Sequence, residues 1–421
     1  MKFEYNHEFA AQLDRDDALS EYRSQFLFPK HKGKEVIYFT GNSLGLQPKT
    51  AKNHVSNIME SWQERGVDGF FEGDQPWWTY QDQIIPPLAR IVGGKPTEVT
   101  IMNTLTVNLH LLMVSFYRPQ GKRFKILCEE KAFPSDQYML KSQLRFHGYN
   151  PEQALIEIPK QDGSHCWATQ DFIETIARDG DEIALILLGG VNYYNGQVLD
   201  MEAITKAGKR AGCMVGWDLA HAVGNVALQL HDWEVDFAAW CSYKYLNSGP
   251  GGIAGAFIHE DHLTNQPISR FEGWWGNRKE TRFLMRPDFE PSLSADAWQL
   301  STQSPLLLAP LWASIKLFDK VGLDALIEKR KRITAYLDFI LQTTALATGR
   351  NFEIITPEDR GCQLSVLLHG EGRALFEYLT DQGVLADWRE PNVIRLAPAP
   401  FYSSFSDMYR FGEILKSGLQ G

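Results

Sequence analysis

Two residues in this chain have types and surroundings that suggest chemistry: an acid and an amine. Asp218, in Trp217-Asp218-Leu219-Ala220-His221, and Lys244, in Ser242-Tyr243-Lys244-Tyr245-Leu246-Asn247, lie 26 residues apart. Each follows a short apolar run that reads as a buried strand, so both fall at the edge of a sheet where open α/β folds collect ligands. A carboxylate buried there is costly unless a cation or a hydrogen-bond donor meets it. A lone lysine is usually a solvated surface residue. Lys244 stands between two tyrosines and ahead of Gly249-Pro250-Gly251-Gly252, whose backbone can approach a bound group closely. Acid and amine on successive strands are what pyridoxal phosphate requires. The amine forms the Schiff base, and the carboxylate pairs with the ring nitrogen and keeps it an electron sink. Two plainer readings stay open: Asp218 as the N-cap of the next helix, and His221 as a structural histidine rather than a neighbour of the ring.

A phosphate would need a cradle, and Met102-Asn103-Thr104-Leu105-Thr106-Val107-Asn108 supplies a candidate. It precedes an apolar run, 109–116, that reads as a helix, and the start of a helix offers backbone N–H groups and a favourable dipole to an anion. Thr104 or Thr106 equally serves as a plain cap. Ala132-Phe133-Pro134-Ser135-Asp136 follows a predicted strand, 124–128, again at the ligand edge. Phe133 is placed to lie against a planar ring. Pro134 starting a helix with Asp136 in its first turn is compatible with that.

These residues need a frame. Apolar, β-rich runs at 124–128, 154–158, 183–188, 213–217 and 237–241 alternate with helical stretches such as 170–178 and 201–211, which indicates βαβ units on a mainly parallel sheet. A further strand, 253–258, follows too soon for a crossover helix and is expected to pair antiparallel. After Pro305 a helical pattern runs through 306–346, with a kink expected at Pro310. Strands at 363–368 and 393–396 and helices at 373–381 and 405–416 complete a smaller α+β unit. The expected division is an N-terminal arm and part of the small domain at 1–61, a large α/β domain at 62–304, and a small domain at 305–421.

Composition narrows the partners. The 421 residues carry 42 Lys and Arg against 52 Asp and Glu, a net charge of −10 with no basic run, which argues against nucleic acid while allowing a local positive pocket. Five scattered cysteines without a C-x-x-C pair point to reduced thiols in the cytoplasm, with no zinc ribbon and no metal site expected. The N-terminus lacks an apolar signal core and no run is long enough to span a bilayer, so a soluble protein without membrane contact is expected.

Taken together, Tyr38-Phe39-Thr40-Gly41-Asn42-Ser43-Leu44-Gly45, the 102–108 segment, Phe133-Pro134-Ser135-Asp136, Asp218-Leu219-Ala220-His221, Tyr243-Lys244-Tyr245-Leu246-Asn247 and Arg395-Leu396-Ala397-Pro398 resemble the kynureninases over nearly the whole chain. The resemblance implies a pyridoxal-phosphate enzyme of the type I, aspartate-aminotransferase-like fold. It implies hydrolysis of L-kynurenine or its 3-hydroxy derivative to L-alanine and an anthranilate. Lys244 would carry the cofactor and Asp218 would hold its nitrogen. Phe133 would stack on the ring, with Leu105, Thr106, Pro134, Ser135, Asp136, His221 and Tyr243 around ring and phosphate. Trp274 and Thr302 would reach the site across a homodimer interface. Arg395 would clamp the substrate carboxylate, and Ser43 and Phe70 would line the aryl pocket. Lys244 would act as base, and Tyr243 as proton donor, as phosphate ligand, or as both. Family members preferring the 3-hydroxy substrate tend to carry His where this chain has Phe70 and Asn where it has Thr302, which favours plain kynurenine here. Gly189 stands where relatives can have a hydroxyl residue, so any cofactor contact there would be through backbone. Within the same fold a cysteine desulfurase is the alternative, with Cys362 as its nucleophile; a catalytically silent scaffold is a further one, disfavoured by the intact Lys244, Asp218 and Arg395.

Overall fold

A computed structural model describes residues 2–263, 268–349, 352–370 and 372–420. Seven short strands form its main sheet: β1 Val99–Ile101, β2 Lys125–Glu129, β3 Leu155–Ile158, β4 Ile183–Gly189, β5 Met214–Asp218, β6 Phe237–Trp240 and β7 Gly255–Ile258. Their spatial order is β1-β7-β6-β5-β4-β2-β3. The run from β3 to β6 is parallel, while β7 is antiparallel to both β6 and β1. The β6–β7 link, residues 241–254, forms no crossover helix of the kind that usually carries a parallel return, which accords with that reversal.

Apart from α1 His7–Arg15, which packs in the core of the smaller unit, helices cover both faces, among them α2 Leu105–Phe116, α3 Pro134–Phe146, α4 Thr169–Asp179 and α5 Met201–Arg210. The strand pleat divides β4 between two cores. Ile186 and Leu188 join Val215 and Trp217 on one side, and Leu185 and Leu187 join Phe237 and Met113 on the other. Gly216 in β5 allows the close fit of β6, since a Cβ there would lie 2.2 Å from a ring carbon of Phe237.

A second, antiparallel sheet contains β8 Phe352–Ile354, β9 Leu364–Leu368, β10 Asp387–Arg389 and β11 Val393–Leu396, in the order β8-β9-β11-β10. The N-terminal chain joins this region. Ile37–Tyr38 pairs with Val384–Leu385, Thr40 bridges Ala397, and Ala10 and Phe39 share a core with Leu364 and Phe411. The helix expected at 306–346 is two helices, α6 Pro305–Val321 and α7 Leu323–Thr348, which meet at Gly322 with φ +80. Pro310 lies within α6, where the bond it forgoes would have reached only the first turn. The left-handed φ of Gly322, which suits a residue without Cβ, makes the break instead. Helix α8, Phe405–Gln420, closes the unit. Among the described residues no helix is long and apolar enough to cross a membrane.

Candidate active site

The carboxyl ends of β2, β4, β5 and β6 open onto a cavity of about 380 Å³. Asp218 and Lys244 both line it, together with Ser43, Leu105, Thr106, Phe133, Ser135, Asp136, His221, Tyr243 and Arg395. The sequence thus places acid and amine on adjacent parallel strands and the fold brings both to one pocket.

Asp218 ends β5 and is buried, and its Oδ1 accepts the Ala220 N–H at 2.8 Å. Asp136, in the first turn of α3, faces it. Burial and the neighbouring Asp218 charge drive the Asp136 carboxyl well above its usual range, and burial raises Asp218 as well, so the two acids favour sharing a proton. The buried His221 is held far below the ordinary imidazole range by desolvation and by Lys244 and Arg395, hence neutral, and its Nδ1 has no protein partner.

The Lys244 loop is fixed from below. The N–H of Gly45 donates to the Tyr243 carbonyl at 2.9 Å, and that of Asn247 to the Lys244 carbonyl at 3.0 Å. A Cβ on Gly45 would fall 2.4 Å from the Lys244 carbonyl oxygen, so only glycine permits this approach. Tyr243 is raised above the ordinary phenol range by burial and by the adjacent Cys241 thiol, and so remains protonated.

Two helix starts supply the third wall. Neither α2, after Thr104, nor α3, after Phe133, has a side-chain cap, so the N–H groups of both first turns lack a side-chain acceptor. Thr106 Oγ1 and Ser135 Oγ lie 2.7 Å apart between them. Phe133 is 43% exposed, with its only ring neighbour among the described residues, Tyr193, edge-on at 5.2 Å. Pro134 starts α3 and does not itself line the cavity.

Arg395, on β11, is 1% exposed. Its Nη1 donates to the Tyr193 carbonyl at 2.6 Å, while Nη2 donates to Ser43 Oγ at 3.3 Å and pairs with Asp387; Nε has no acceptor. Ser43 also donates to Asp387, and Arg389 Nη2 lies 3.4 Å from the same Asp387 oxygen. The register of β10 on β11 sets Asp387 directly opposite Arg395.

Besides Pro134, three expected residues do not line this cavity. Phe70 ends a short helical turn and packs edge-on against Trp77 at 5.1 Å, which draws its ring away. Trp274 and Thr302 are both exposed, Trp274 with its Nε1 donating to the Arg282 carbonyl at 3.0 Å. Conversely, Glu129, Asn192, Tyr193 and Arg389 line the cavity without having been singled out from sequence. The strand-end position of Glu129, matching that of Asp218, was the available signal. Elsewhere Glu98, His231 and His259 place ligand atoms within 4.8 Å of one another. Glu98, however, already accepts from His231 and from the backbone N–H groups of Lys95 and Glu260, which describes a loop clasp. Cys362 is buried beside Tyr245 and Ala397, and its thiol is pushed up to about 12 by desolvation, the opposite of a mobile nucleophile.

Comparison with known proteins points the same way. Residues 326–415 match the family model described as the kynureninase C-terminal domain. The kynureninase of Christiangramia forsetii is 60% identical over 422 residues, covering 100% of this chain and 99% of that protein. That of Flavobacterium psychrophilum is likewise 60% identical over 422 residues, with the same coverage. The kynureninase of Nematostella vectensis is 44% identical, covering 99% of this chain and 94% of its own. Among solved structures, the cystine C–S lyase C-DES with its product cysteine persulfide superposes with a TM-score of 0.75 at 18% identity, covering 90% of this chain and 97% of that one. The Escherichia coli cysteine desulfurase CsdA gives 0.74 at 14% identity, over 96% and 98%. At those identities the two structures speak for the fold alone.

Proposed function

The chain belongs to the kynureninase family, and from that premise we propose how its own residues carry out the family's reaction. The enzyme is a pyridoxal-phosphate-dependent hydrolase acting on a carbon–carbon bond. It cleaves Cβ–Cγ of L-kynurenine, or of 3-hydroxy-L-kynurenine, with one water, giving L-alanine and anthranilate or its 3-hydroxy counterpart.

The residues present fit the cofactor. An amine and the Asp218 carboxylate share the cavity, the buried His221 Nδ1 lacks a partner, Phe133 exposes a ring face, and two uncapped helix starts meet at Thr106 and Ser135. Pyridoxal phosphate, when bound, supplies a sink for negative charge developing on the substrate's carbons. Lys244 would hold it covalently and Asp218 would hold the ring nitrogen, with Asp136 beside that carboxylate. Leu105, Thr106, Ser135 and Tyr243 receive the phosphate.

Arg395 fixes the substrate carboxylate through its planar guanidinium fork, which Ser43 and Asp387 hold in place. This orients the Cα–H toward the Lys244 amine, which takes the proton as general base. Tyr243, protonated and next in sequence, returns a proton to Cβ after cleavage. The observation that carries this reading is the convergence of Lys244, Asp218 and Arg395 on one cavity from two different sheets.

Four finer points complete the proposal. The enzyme works as a homodimer, in which Trp274 and Thr302 reach the cofactor across the interface and Phe70 lines the aryl pocket. In support, Phe71, Trp274 and Phe283 form an exposed aromatic patch. The preferred substrate is unsubstituted kynurenine, and the enzyme is cytoplasmic. The chain divides at 62 and 305, with α6 lending Leu308, Leu311 and Ile315 to the large core and so bridging the parts. The test is direct: purified enzyme given kynurenine should generate anthranilate fluorescence, and Lys244→Ala should abolish turnover while leaving far-ultraviolet circular dichroism unchanged. Lys244→Ala activity near wild type would overturn the assignment of the base.

A further inference from the structure

The mechanism above leaves one buried titratable group on the cavity wall unused. Glu129 ends β2, is 4% exposed, and faces the same space as Asp218. Both its carboxylate oxygens lie 3.4 Å from one donor, the N–H of Gly189, a weak claim on a fully buried carboxylate. Gly189 is the residue of β4 directly opposite Asp218, so β2, β4 and β5 bring Glu129, Gly189 and Asp218 side by side. A Cβ at 189 would crowd Glu129 Oε1 to 3.1 Å, so the glycine and the acid share one space. The polar contact missing from position 189 is thus offered by the neighbouring strand.

The groups facing Glu129 are mostly acidic: Asp218 on β5, Glu157 on β3 and Asp136 on α3, with the Tyr193 phenol after β4 and the Lys244 amine across the cavity. Burial raises its carboxyl to about 7, so it changes charge within the range where an enzyme of this kind works. A role confined to capping Gly189 would be served equally by an amide.

We propose that Glu129 is a positioning residue for the cofactor, a switchable negative charge beside Asp218 that sets how strongly the pocket favours the protonated form of the lysine-linked cofactor. This rests on the pyridoxal-phosphate reading of the site. The acid acts through the field it adds, since Asp218 alone occupies the strand end next to the Lys244 strand.

The experiment is a pH titration of the bound cofactor's visible absorbance in wild-type holoenzyme, E129Q and E129D. Glutamine keeps an acceptor for Gly189 and loses only the charge. In E129Q the midpoint should fall by about one unit and the curve should sharpen, because no second group ionises alongside. E129D retains the charge and should keep the wild-type midpoint. Superposable wild-type and E129Q curves, with or without weaker cofactor binding, would assign Glu129 a structural role and overturn the proposal. So would an E129D midpoint about one unit below that of wild type, and this arm stands if E129Q fails to fold. A wild-type protein with no visible cofactor band would instead bring down the underlying reading, a distinguishable failure.

Discussion

Replacing Arg395 with lysine tests the substrate clamp without removing charge. In the native site the guanidinium donates to the Tyr193 carbonyl, to Ser43 and to Asp387 at once. A lysine ammonium is a point charge with three donors. It can stay paired with Asp387 but cannot also span Tyr193 and present two parallel N–H groups to a carboxylate. One charge-assisted bond of the fork is lost, about 1.5–3 kcal/mol. At roughly 1.36 kcal/mol per decade that is a loss of about 10- to 150-fold in kcat/KM. The bond serves ground and transition states alike, so the loss should fall on KM, with kcat within about threefold of wild type. Arg395→Ala should be worse, about 3–5 kcal/mol, since it strands Asp387 without its main partner. Initial rates from anthranilate fluorescence, normalised to cofactor absorbance, give both constants. A KM for Arg395→Lys within twofold of wild type, or a collapse of kcat at unchanged KM, would refute the clamp.

Two further outcomes are expected. Phe70→His combined with Thr302→Asn should shift the ratio of kcat/KM toward 3-hydroxykynurenine, by about tenfold for one added hydrogen bond; an unmoved ratio would mean that neither residue reaches the aryl pocket. Gly216→Ala should destabilise the fold by about 1–3 kcal/mol, because its methyl would penetrate the Phe237 ring at 2.2 Å, and thermal unfolding should show it; an unchanged Tm would mean that β5 and β6 can spread apart.

The parts of the site most legible in the sequence were those carried by apolar, parallel strands. β5 and β6 announce themselves as buried runs, and the residues at the end of such a run fall at the sheet edge, so Asp218 and Lys244 could be paired before any coordinates. Glu129 occupies an equivalent strand end but was hidden in Glu129-Glu130-Lys131, a string that reads as a solvated turn. Asp387 and Arg389 were hidden for a different reason. β10 is three residues long and edge-lying, and its meaning depends on the register that sets Asp387 against Arg395. The pairing of Ile37–Tyr38 with Val384–Leu385 spans most of the chain, and no local pattern encodes such a contact. Proline 310 drew attention that belonged to Gly322, because a proline near a helix start costs little while a left-handed φ ends the helix.

The stretch from Ile37 to Gly45 touches both ends of the chemistry. It begins paired to Val384–Leu385, bridges Ala397 at the end of β11 through Thr40, passes Ser43 against the Arg395 guanidinium, and finishes with Gly45 bonded to the carbonyl of Tyr243, one residue before the reactive amine. The span between carboxylate anchor and amine is therefore gauged by one taut strip of main chain. A tilt of the small sheet would carry clamp and lysine loop together, so an amino acid of the right length stays in register while the walls around it move.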